Sequence, residues 1–298
     1  MKVVIVGQSV VDKIETDTGN FTKPGGIFYS ILGMLQIGKL IEDFVLITNY
    51  STKHKDLFSS ALDKVDLRLS RKVKNIPTVK LRIWKDKERD ETYSNVTQRL
   101  TIPLEKNFNK FDGILVNMIS GFDLRISEFE ILRGNYSGLI YLDIHSLARG
   151  IDENKNRIFR KIPSIKRWLN CAEIVQCNEN ELLTLYESNA ENEIANYVLR
   201  YRPVILIITK GNKGVTVYSK FSEFEIAKLD IESIEVISKN KVGCGDIFGA
   251  VFFYYYIISQ NVKKATNYAN IAAGLFTQYT MVSEFEKLGP DFIKYKNT

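Results

Sequence analysis

The stretch that decides how we interpret this chain is Asn240-Lys241-Val242-Gly243-Cys244-Gly245-Asp246, which runs into Ile247-Phe248-Gly249-Ala250-Val251-Phe252-Phe253. Two glycines flank one small residue, and an aspartate then opens an apolar segment that predicts a buried helix. The N–H groups of such a turn can bind an anion at the start of the helix. Asp246 would lie close enough to accept a proton from a hydroxyl that attacks bound phosphorus. The stretch is therefore a candidate site for phosphoryl chemistry, and an ordinary glycine-rich turn is the alternative.

The composition is that of an ordinary globular protein. Its 298 residues, 45% of them hydrophobic, suffice for one large α/β domain. The 41 basic and 35 acidic residues are interleaved, without a basic run long enough to follow a nucleic-acid backbone. Three cysteines offer no disulfide framework and no zinc spacing, and no apolar run is long enough for a signal peptide or a membrane span. We therefore expect a cytoplasmic protein with neither nucleic acid nor membrane as partner.

Short apolar runs separated by helical segments predict a parallel sheet that is buried on both faces. The first helix follows Pro24-Gly25-Gly26 and covers Ile27 to Gly38. The predicted buried strands are 3–6, 44–48, 113–117, 139–143, 173–177 and 204–209.

Other segments complete the pattern. We expect a helix over 53–64, a short strand at 67–69 and helical spacing from Leu182 to Tyr186. An antiparallel pair at 215–218 and 223–226, then helices over 246–258 and 263–281, close the chain.

Two segments have the alternating pattern of strands with one wet face. Residues 10–24 mix single apolar residues with turn formers, and residues 78–84 and 92–96 predict a hairpin. We expect them to pair as a small sheet over a site. The domain prediction is therefore a single α/β domain over 1–298, with lid strands inserted at about 10–24 and 76–98.

Several familiar sites are missing from the sequence. It has no phosphate-binding P-loop, no Gly-x-Gly-x-x-Gly after the first strand, no Gly-x-Ser-x-Gly elbow, and only two histidines. Classical NTPases, dinucleotide dehydrogenases, serine hydrolases and zinc hydrolases are therefore disfavoured. Polar residues remain at the carboxyl ends of predicted strands, where open α/β sheets bind ligands, although each is also a common helix cap or turn former. They are Asp12, Asp143, Asn178, Glu181 and Thr209-Lys210-Gly211.

In this order, these features resemble the ribokinase-like (PfkB) family of carbohydrate and nucleoside kinases over nearly the whole chain. The most specific part is Val242 to Ala250, which is similar to the family's D-T-x-G-A-G-D signature and the following helix. Gly25-Gly26, Asn178-Glu179-Asn180-Glu181 and residues 209–214 resemble its glycine pair, its N-x-x-E motif and its nucleotide segment. The resemblance implies a three-layer, doubly wound, mostly parallel α/β sheet with a small β-sheet lid.

The resemblance also implies a role for each site residue. Asp246 would be the general base, and the N–H groups of Gly243, Cys244 and Gly245 would hold the migrating phosphoryl charge. Asn178 and Glu181 would organise Mg²⁺, with Glu181 acting through water. The residues implied for ATP are Thr209 and Gly211 along the phosphate and adenosine path and Asn270 at the adenine edge. Those implied for the acceptor are Asp12, Gly25 and Gly26.

The sequence departs from the family pattern in three places. Asn240-Lys241 replaces the leading Asp-Thr, so dependence on a monovalent cation such as potassium is open. Ser30 stands in place of a frequent asparagine, beside Phe28 and Tyr29. The segment Asp143-Ile144-His145-Ser146-Leu147-Ala148-Arg149 replaces an Asp-x-Asn or Asp-x-Gln segment. His145 would either face the substrate or be hydrogen-bonded inside the protein, and the role of Arg149 is open.

The sequence therefore predicts an ATP-dependent, Mg²⁺-requiring kinase acting on a primary hydroxyl of a sugar or polyol by in-line transfer. A nucleoside kinase is the near alternative, because Phe28 and Tyr29 would stack on a base. A vitamin kinase fits less well, because such relatives generally lack a two-part lid. A non-catalytic ligand-binding or regulatory protein with this fold is the alternative of another class, and Asn240-Lys241 favours it. Unpaired lid edges leave a homodimer open.

Overall fold

A computed structural model of the chain describes residues 1–17, 19–83, 90–95, 99–222 and 225–296. Its strands are, in chain order, β1 (Lys2–Val6), β2 (Ser9–Thr16), β3 (Gly19–Gly26), β4 (Asp43–Ile47), β5 (Asn49–Tyr50), β6 (Arg71–Lys72), β7 (Thr78–Arg82), β8 (Asp90–Ser94), β9 (Gly113–Asn117), β10 (Leu139–Asp143), β11 (Arg149–Ile151), β12 (Arg157–Phe159), β13 (Ile174–Asn178), β14 (Ile205–Thr209), β15 (Val215–Lys220) and β16 (Ile226–Ile231). Its α-helices are α1 (Ile27–Ile37), α2 (Lys55–Leu62), α3 (Ile126–Asn135), α4 (Ile165–Leu169), α5 (Glu179–Leu182), α6 (Glu191–Val198), α7 (Cys244–Ser259), α8 (Val262–Phe276) and α9 (Leu288–Lys296). Short 3₁₀ turns cover Thr52–His54, Gly211–Lys213 and Val282–Lys287.

The central sheet has eight strands in the order β16-β15-β14-β13-β10-β9-β1-β4. The six strands from β4 to β14 are parallel, and β15 and β16 add an antiparallel edge. The carboxyl ends of parallel strands share one edge of a sheet, so Asn117, Asp143, Asn178 and Thr209 all lie along that edge.

Two hydrophobic cores lie on opposite faces of this sheet. Successive side chains of a strand point to opposite faces, so Val3 and Ile5 pack in one core while Val4 and Val6 pack in the other. The first core contains apolar residues of α1, α7 and α8, and the second contains those of α3, α4 and α6. The long apolar runs seen in the sequence arise from this burial on both faces.

The predicted lid strands form a separate four-stranded sheet in the order β3-β2-β7-β8. β2 pairs with β3 in antiparallel and with β7 in parallel orientation, which joins the two segments inserted into the chain. Parts of the predicted 10–24 and 76–98 segments, residues 18, 84–89 and 96–98, lie outside the described residues. The division into a single domain with an inserted lid stays a prediction.

Helices α1 and α7 both begin at glycines and pack against each other. Gly26 precedes α1 with φ 62°, and Gly243 precedes α7 with φ 82°. A Cβ at Gly33 in the middle of α1 would lie 3.1 Å from Cβ of Ala250 on α7. The two helix axes therefore approach closely, and both helices start beside the same edge of the sheet.

Four local predictions were wrong. β16 covers Ile226–Ile231 rather than 223–226, of which residues 223 and 224 lie outside the described residues. Residues 67–69 form a turn rather than a strand, because the carboxylate of Asp66 accepts the N–H of Arg68 at 2.7 Å. The helix near 182–186 ends at Leu182, where the hydroxyl of Thr184 donates to the Glu181 carbonyl. α8 stops at Phe276 rather than at 281, and the Thr277 carbonyl accepts two N–H groups from a neighbouring loop.

The hairpin of β11 and β12 was not predicted, since each of its strands has only three residues. Within the described ranges, no helix is both long and apolar enough to cross a membrane.

Candidate functional site

The glycine turn before α7 has the geometry that its sequence predicts. A Cβ at Gly243 would lie 2.8 Å from Cδ2 of the Tyr29 ring, and its φ of 82° is a conformation that other residues rarely adopt. The first N–H groups of a helix have no partner within it, so those at the start of α7 can bind an anion. Gly245 is exposed, while Gly243 and Cys244 are half-buried. The turn is therefore accessible to a phosphate.

Asp246 lies in the first turn of α7 and is held by Asn117 at the end of β9. The Asn117 side-chain nitrogen donates to Asp246 Oδ1 at 2.6 Å and to Ser30 Oγ at 2.8 Å. Asn117 is 1% exposed and Ser30 is fully buried, so this bond is shielded from water on the Asn117 side. Ser30 is thereby part of a hydrogen-bonded chain to Asp246.

A second polar chain lies beneath the glycine turn. The Gln176 amide nitrogen donates to Asp143 Oδ2 at 2.8 Å and to the Gly245 carbonyl at 3.1 Å. Its oxygen accepts the hydroxyl of Tyr141. Burial, together with the negative charges of Glu181 and Asp246, raises the pKa of Asp143 well above its usual value. The carboxyls of Asp143, Glu181 and Asp246 are thus within electrostatic reach of one another.

Glu181 is fixed by donors from three parts of the chain. The N–H and the side-chain nitrogen of Asn178 donate to its two oxygens at 2.9 and 2.8 Å. His145 Nδ1 lies 2.6 Å from Oε1, and Arg149 lies 3.9 Å from the same atom. Burial alone would raise the pKa of Glu181, but the charge and hydrogen bond of His145, with Asn178 and Arg149, lower it below its usual value. His145 is therefore engaged within the protein, and one role of Arg149 is to neutralise Glu181.

The same arginine reaches the lid. Glu91 of β8 lies 3.6 Å from Arg149 and 3.4 Å from Arg157, and the side chains of all three are at most 7% exposed. Arg157 also donates to the hydroxyl of Tyr93, another lid residue, at 2.8 Å. One buried charge network thus joins the lid to Glu181.

The predicted acceptor residues lie where the lid meets the central sheet. Asp12 of β2 is 5% exposed and faces Lys23 of β3 in the strand register. A Cβ at Gly25 would collide with the Asp12 carboxylate, so only glycine fits there. Burial lowers the pKa of Lys23, although Asp12 and Glu284 act in the opposite direction. This region contains a carboxylate, an ammonium group and the half-buried backbone of Gly26, which suit a polar acceptor.

The residues predicted for ATP lie at the carboxyl ends of β13 and β14, in the turn after β14 and on α8. Asn178 and Thr209 are neighbours in the register of β13 and β14, and Thr209 donates to the Cys177 carbonyl at 3.4 Å. Gly211 begins an exposed turn with φ 58°. Asn270 donates its side-chain N–H to the Glu232 carbonyl at 2.7 Å. The structure thus brings Thr209 and Gly211 near the N-x-x-E motif, while Asn270 is engaged by a loop.

Sequence reasoning missed Asn117 and Gln176 as site residues. Each is a polar residue within an otherwise apolar buried strand, at or near its carboxyl end. That pattern was the available signal, because a buried amide must find hydrogen-bond partners.

The residues of the candidate site suit an Mg²⁺ ion that is held mainly by water and by donor phosphates rather than by protein side chains. Among the described residues, no group of three or more His, Cys, Asp or Glu side chains is arranged to hold a metal ion. Both Glu181 oxygens already accept hydrogen bonds. Mg²⁺ keeps several waters and often binds through donor phosphates, so a water-mediated role for Glu181 fits the geometry.

A separate depression of about 650 Å³ lies beside β5 and β6. It is lined by Ser51, Thr52, Lys53, Lys72, Val73, Lys74 and Asn75, none of which belongs to the cluster around Asp246. We therefore place the candidate site at the cluster, where the acid and the anion-binding turn meet.

The fold and the candidate site together define a doubly wound α/β protein with a small second β-sheet and with an aspartate in the first turn of the helix that follows a glycine turn. A model of the pfkB family carbohydrate kinases matches residues 149–287, and no curated protein matches the sequence. This match, with the solved structures below, confirms the predicted resemblance to the ribokinase-like (PfkB) family of kinases.

Solved structures share the fold over almost the whole chain. A sulfate complex of a pyrophosphate-dependent kinase in the ribokinase family is 16% identical, with a TM-score of 0.78 over 96% of this chain and 99% of that one. A pyrophosphate-dependent kinase of that family with a pyrophosphate analogue and myo-inositol is 15% identical, with a TM-score of 0.74 over 92% and 94%. Arabidopsis thaliana ribokinase with ribose and ATP is also 15% identical, with a TM-score of 0.75 over 98% of each chain. The ribokinase-like fold is thereby confirmed.

Proposed function

We propose that this protein transfers a phosphoryl group from a phosphoanhydride donor to a hydroxyl of a sugar or polyol. The observation that carries the proposal is the placement of Asp246 in the first turn of α7, directly after the exposed glycine turn. A carboxylate and a set of N–H donors at one helix start are the two groups that phosphoryl transfer to an alcohol requires.

The chemistry follows from these residues. Asp246 accepts the proton of the attacking hydroxyl, and Asn117 holds the carboxylate toward the substrate through a 2.6 Å hydrogen bond. The N–H groups of Gly243, Cys244 and Gly245 receive the negative charge of the transferring group. When bound, Mg²⁺ would neutralise charge on the donor phosphates, and Asn178 and Glu181 are the residues that would orient its waters.

The acceptor side favours a sugar or polyol over a nucleoside. Phe28 and Tyr29 are at most 2% exposed and pack edge-to-face with each other and with further core rings. They are therefore not available to stack on a base, which removes the reason given for a nucleoside. Asp12 and the backbone of Gly25 and Gly26 instead suit hydroxyl groups. Among the relatives, one binds myo-inositol and another binds ribose.

ATP and pyrophosphate are both phosphoanhydrides. ATP is the donor that the resemblance implies, and it is bound by the Arabidopsis ribokinase, whereas other relatives are pyrophosphate-dependent. The function test supplies both donors, with Mg²⁺, to a panel of sugars, polyols and nucleosides. It detects phosphorylated products by mass spectrometry.

The decisive variant is Asp246→Asn, which keeps the shape of the side chain and removes the base. We expect turnover to fall by ~10²–10⁴-fold with donor binding nearly unchanged. The matched control is Asp291→Asn, since Asp291 is also a hydrogen-bonded aspartate in the first turn of a helix, α9. Near-normal turnover of Asp246→Asn would contradict the role of the base. Absence of transfer by the unchanged protein would instead favour a non-catalytic binding protein.

A further inference from the structure

The loop of residues 232–240, between β16 and the glycine turn, lies along α8. At its start, the Glu232 carbonyl accepts a hydrogen bond from Asn270 at 2.7 Å. At its end, the backbone N–H groups of Lys239 and Asn240 donate to the Thr277 carbonyl at 2.8 and 2.9 Å. Asn270, Gly274 and Thr277 are spaced four and three residues apart, so they share one face of the helix. The loop is thus fastened to that face at both ends.

Between these two attachments, Ile234 covers Gly274. A Cβ at Gly274 would lie 2.8 Å from Cδ1 of Ile234, so the side chain rests directly on the helix backbone. Carbon atoms in contact are ~3.5–4.0 Å apart. Two protein surfaces that enclose an aromatic ring must therefore be about 7 Å apart. The loop and this face of α8 leave no such gap.

The loop also contacts the turn that follows β14. The Ser233 hydroxyl donates to the Asn212 carbonyl at 2.6 Å. A Cβ at Gly214 would lie 2.8 Å from both the Glu232 carbonyl carbon and the Ser233 nitrogen. Residues 232 and 233 therefore bridge the Gly211–Lys213 turn and α8, across the path that an adenosine group would take from the predicted roles of Gly211 and Asn270.

The part of the site that would hold phosphates is open by contrast. Apart from Gly211 and its two chain neighbours, no described residue has an atom within 4 Å of the position of a Cβ at Gly211, and Gly245 is exposed. Lys241 is exposed and forms no ion pair with a described residue, two positions before the glycine turn. An ammonium group beside an anion-binding turn suits a highly charged phosphate ligand.

We infer that the phosphoryl donor is inorganic pyrophosphate rather than ATP, an inference that rests on the proposed function. The acceptor oxygen attacks one phosphorus of pyrophosphate and forms the new P–O bond. The bond from that phosphorus to the bridging oxygen breaks, and its electron pair leaves with orthophosphate. The hydroxyl proton passes to Asp246 and then to solvent or to the departing phosphate. No nucleoside is needed for these steps.

The first experiment compares the two donors with the full chain, Mg²⁺ and the acceptor panel, following the products by ³¹P NMR. We expect kcat/KM for pyrophosphate to exceed that for ATP by at least about tenfold on any acceptor that is used. A higher kcat/KM with ATP overturns the inference and leaves the proposed function intact.

The second experiment measures binding of Mg²⁺-pyrophosphate and Mg²⁺-ATP by calorimetry without an acceptor. Tighter binding of pyrophosphate supports the inference, and equal or tighter binding of ATP overturns it. This result stands even if no acceptor is phosphorylated, in which case the proposed function fails separately.

The third experiment opens the loop with Ile234→Ala and uses Ile237→Ala as its matched control. Ile237 is in the same loop but is 78% exposed, so its removal leaves the covered helix face unchanged. We expect Ile234→Ala to raise ATP affinity relative to pyrophosphate by about fivefold or more, as for the removal of a steric block worth ~1 kcal/mol. An equal ratio in both variants would contradict the closure assigned to Ile234.

Discussion

The charge network between the lid and the central sheet yields a quantitative prediction for Glu91→Gln. The Glu91 side chain is 2% exposed and lies 3.6 and 3.4 Å from Arg149 and Arg157, which are 7% and 1% exposed. Glutamine keeps the shape but leaves two buried guanidinium groups without their shared carboxylate. Removing one partner of a buried ion pair costs ~3–5 kcal/mol, and the retained amide places the expected loss toward the lower end of that range.

Two measurements test this prediction. Urea unfolding gives the loss of stability from the shift of the midpoint at constant slope. Hydrogen exchange of the lid amides shows whether β7 and β8 open before the rest of the protein. The matched control is Glu130→Gln, because Glu130 pairs with Arg167 on the surface, where the side chains are 38% and 49% exposed, and we expect little change. A loss below ~1 kcal/mol with unchanged lid exchange would refute the reasoning that this network holds the lid.

Three further predictions concern the glycine turn, the base and the acid range. Gly243→Ala should lower the free energy of unfolding by at least ~1–2 kcal/mol, because the φ of Gly243 is 82° and an alanine Cβ would collide with the Tyr29 ring. Urea unfolding measures this loss, and an unchanged midpoint would show that the turn relaxes freely. Asn117→Ala should lower kcat ~10–100-fold and change KM by less, because Asp246 loses a charge-assisted hydrogen bond. The same loss should move the acid limb of the pH–rate profile to higher pH. A change in KM without a change in kcat would contradict this prediction. Backbone N–H groups lower the pKa of Glu284 from 4.5 to about 2. The ionised carboxylate therefore stabilises the folded protein fully above pH 4.5, and this stabilisation disappears as the pH falls toward 2. In thermal unfolding, the Tm of Glu284→Gln should lie below that of the unchanged protein at pH 7, and the two values should converge near pH 2.

The buried strands and the glycine turn could be predicted because local sequence determines them. A run such as Val3–Val6 has few alternatives to a strand that is covered on both faces, and Gly243-x-Gly245 before an apolar helix is specific for its turn. Side chains that meet across the sheet could not be predicted in this way. Asn117 and Asp246 are 129 residues apart, and their contact depends on the strand order β10-β9-β1 and on the packing of α7.

Local errors had an equally local cause, because side chains competed for backbone groups. The Asp66 carboxylate accepts the N–H of Arg68, and the Thr184 hydroxyl donates to the Glu181 carbonyl. Neither hydrogen bond can be predicted from hydrophobic spacing. The hydrogen bond from Asn270 to the Glu232 carbonyl shows the same limit at longer range, since the loop that accepts it has no periodic pattern.

In the proposed reaction, the contact between α1 and α7 would act as a spacer between the acceptor and the phosphoryl donor. One helix begins at Gly26, next to the acceptor residues, and the other begins at Gly243, next to the anion-binding turn. Their separation is set in the interior, where a Cβ at Gly33 would lie 3.1 Å from Cβ of Ala250. In the proposed reaction, a larger side chain at either position would therefore increase the distance between the attacking oxygen and phosphorus, although neither residue belongs to the candidate site. Attempts to enlarge the acceptor range should vary the lid and leave this internal spacer unchanged.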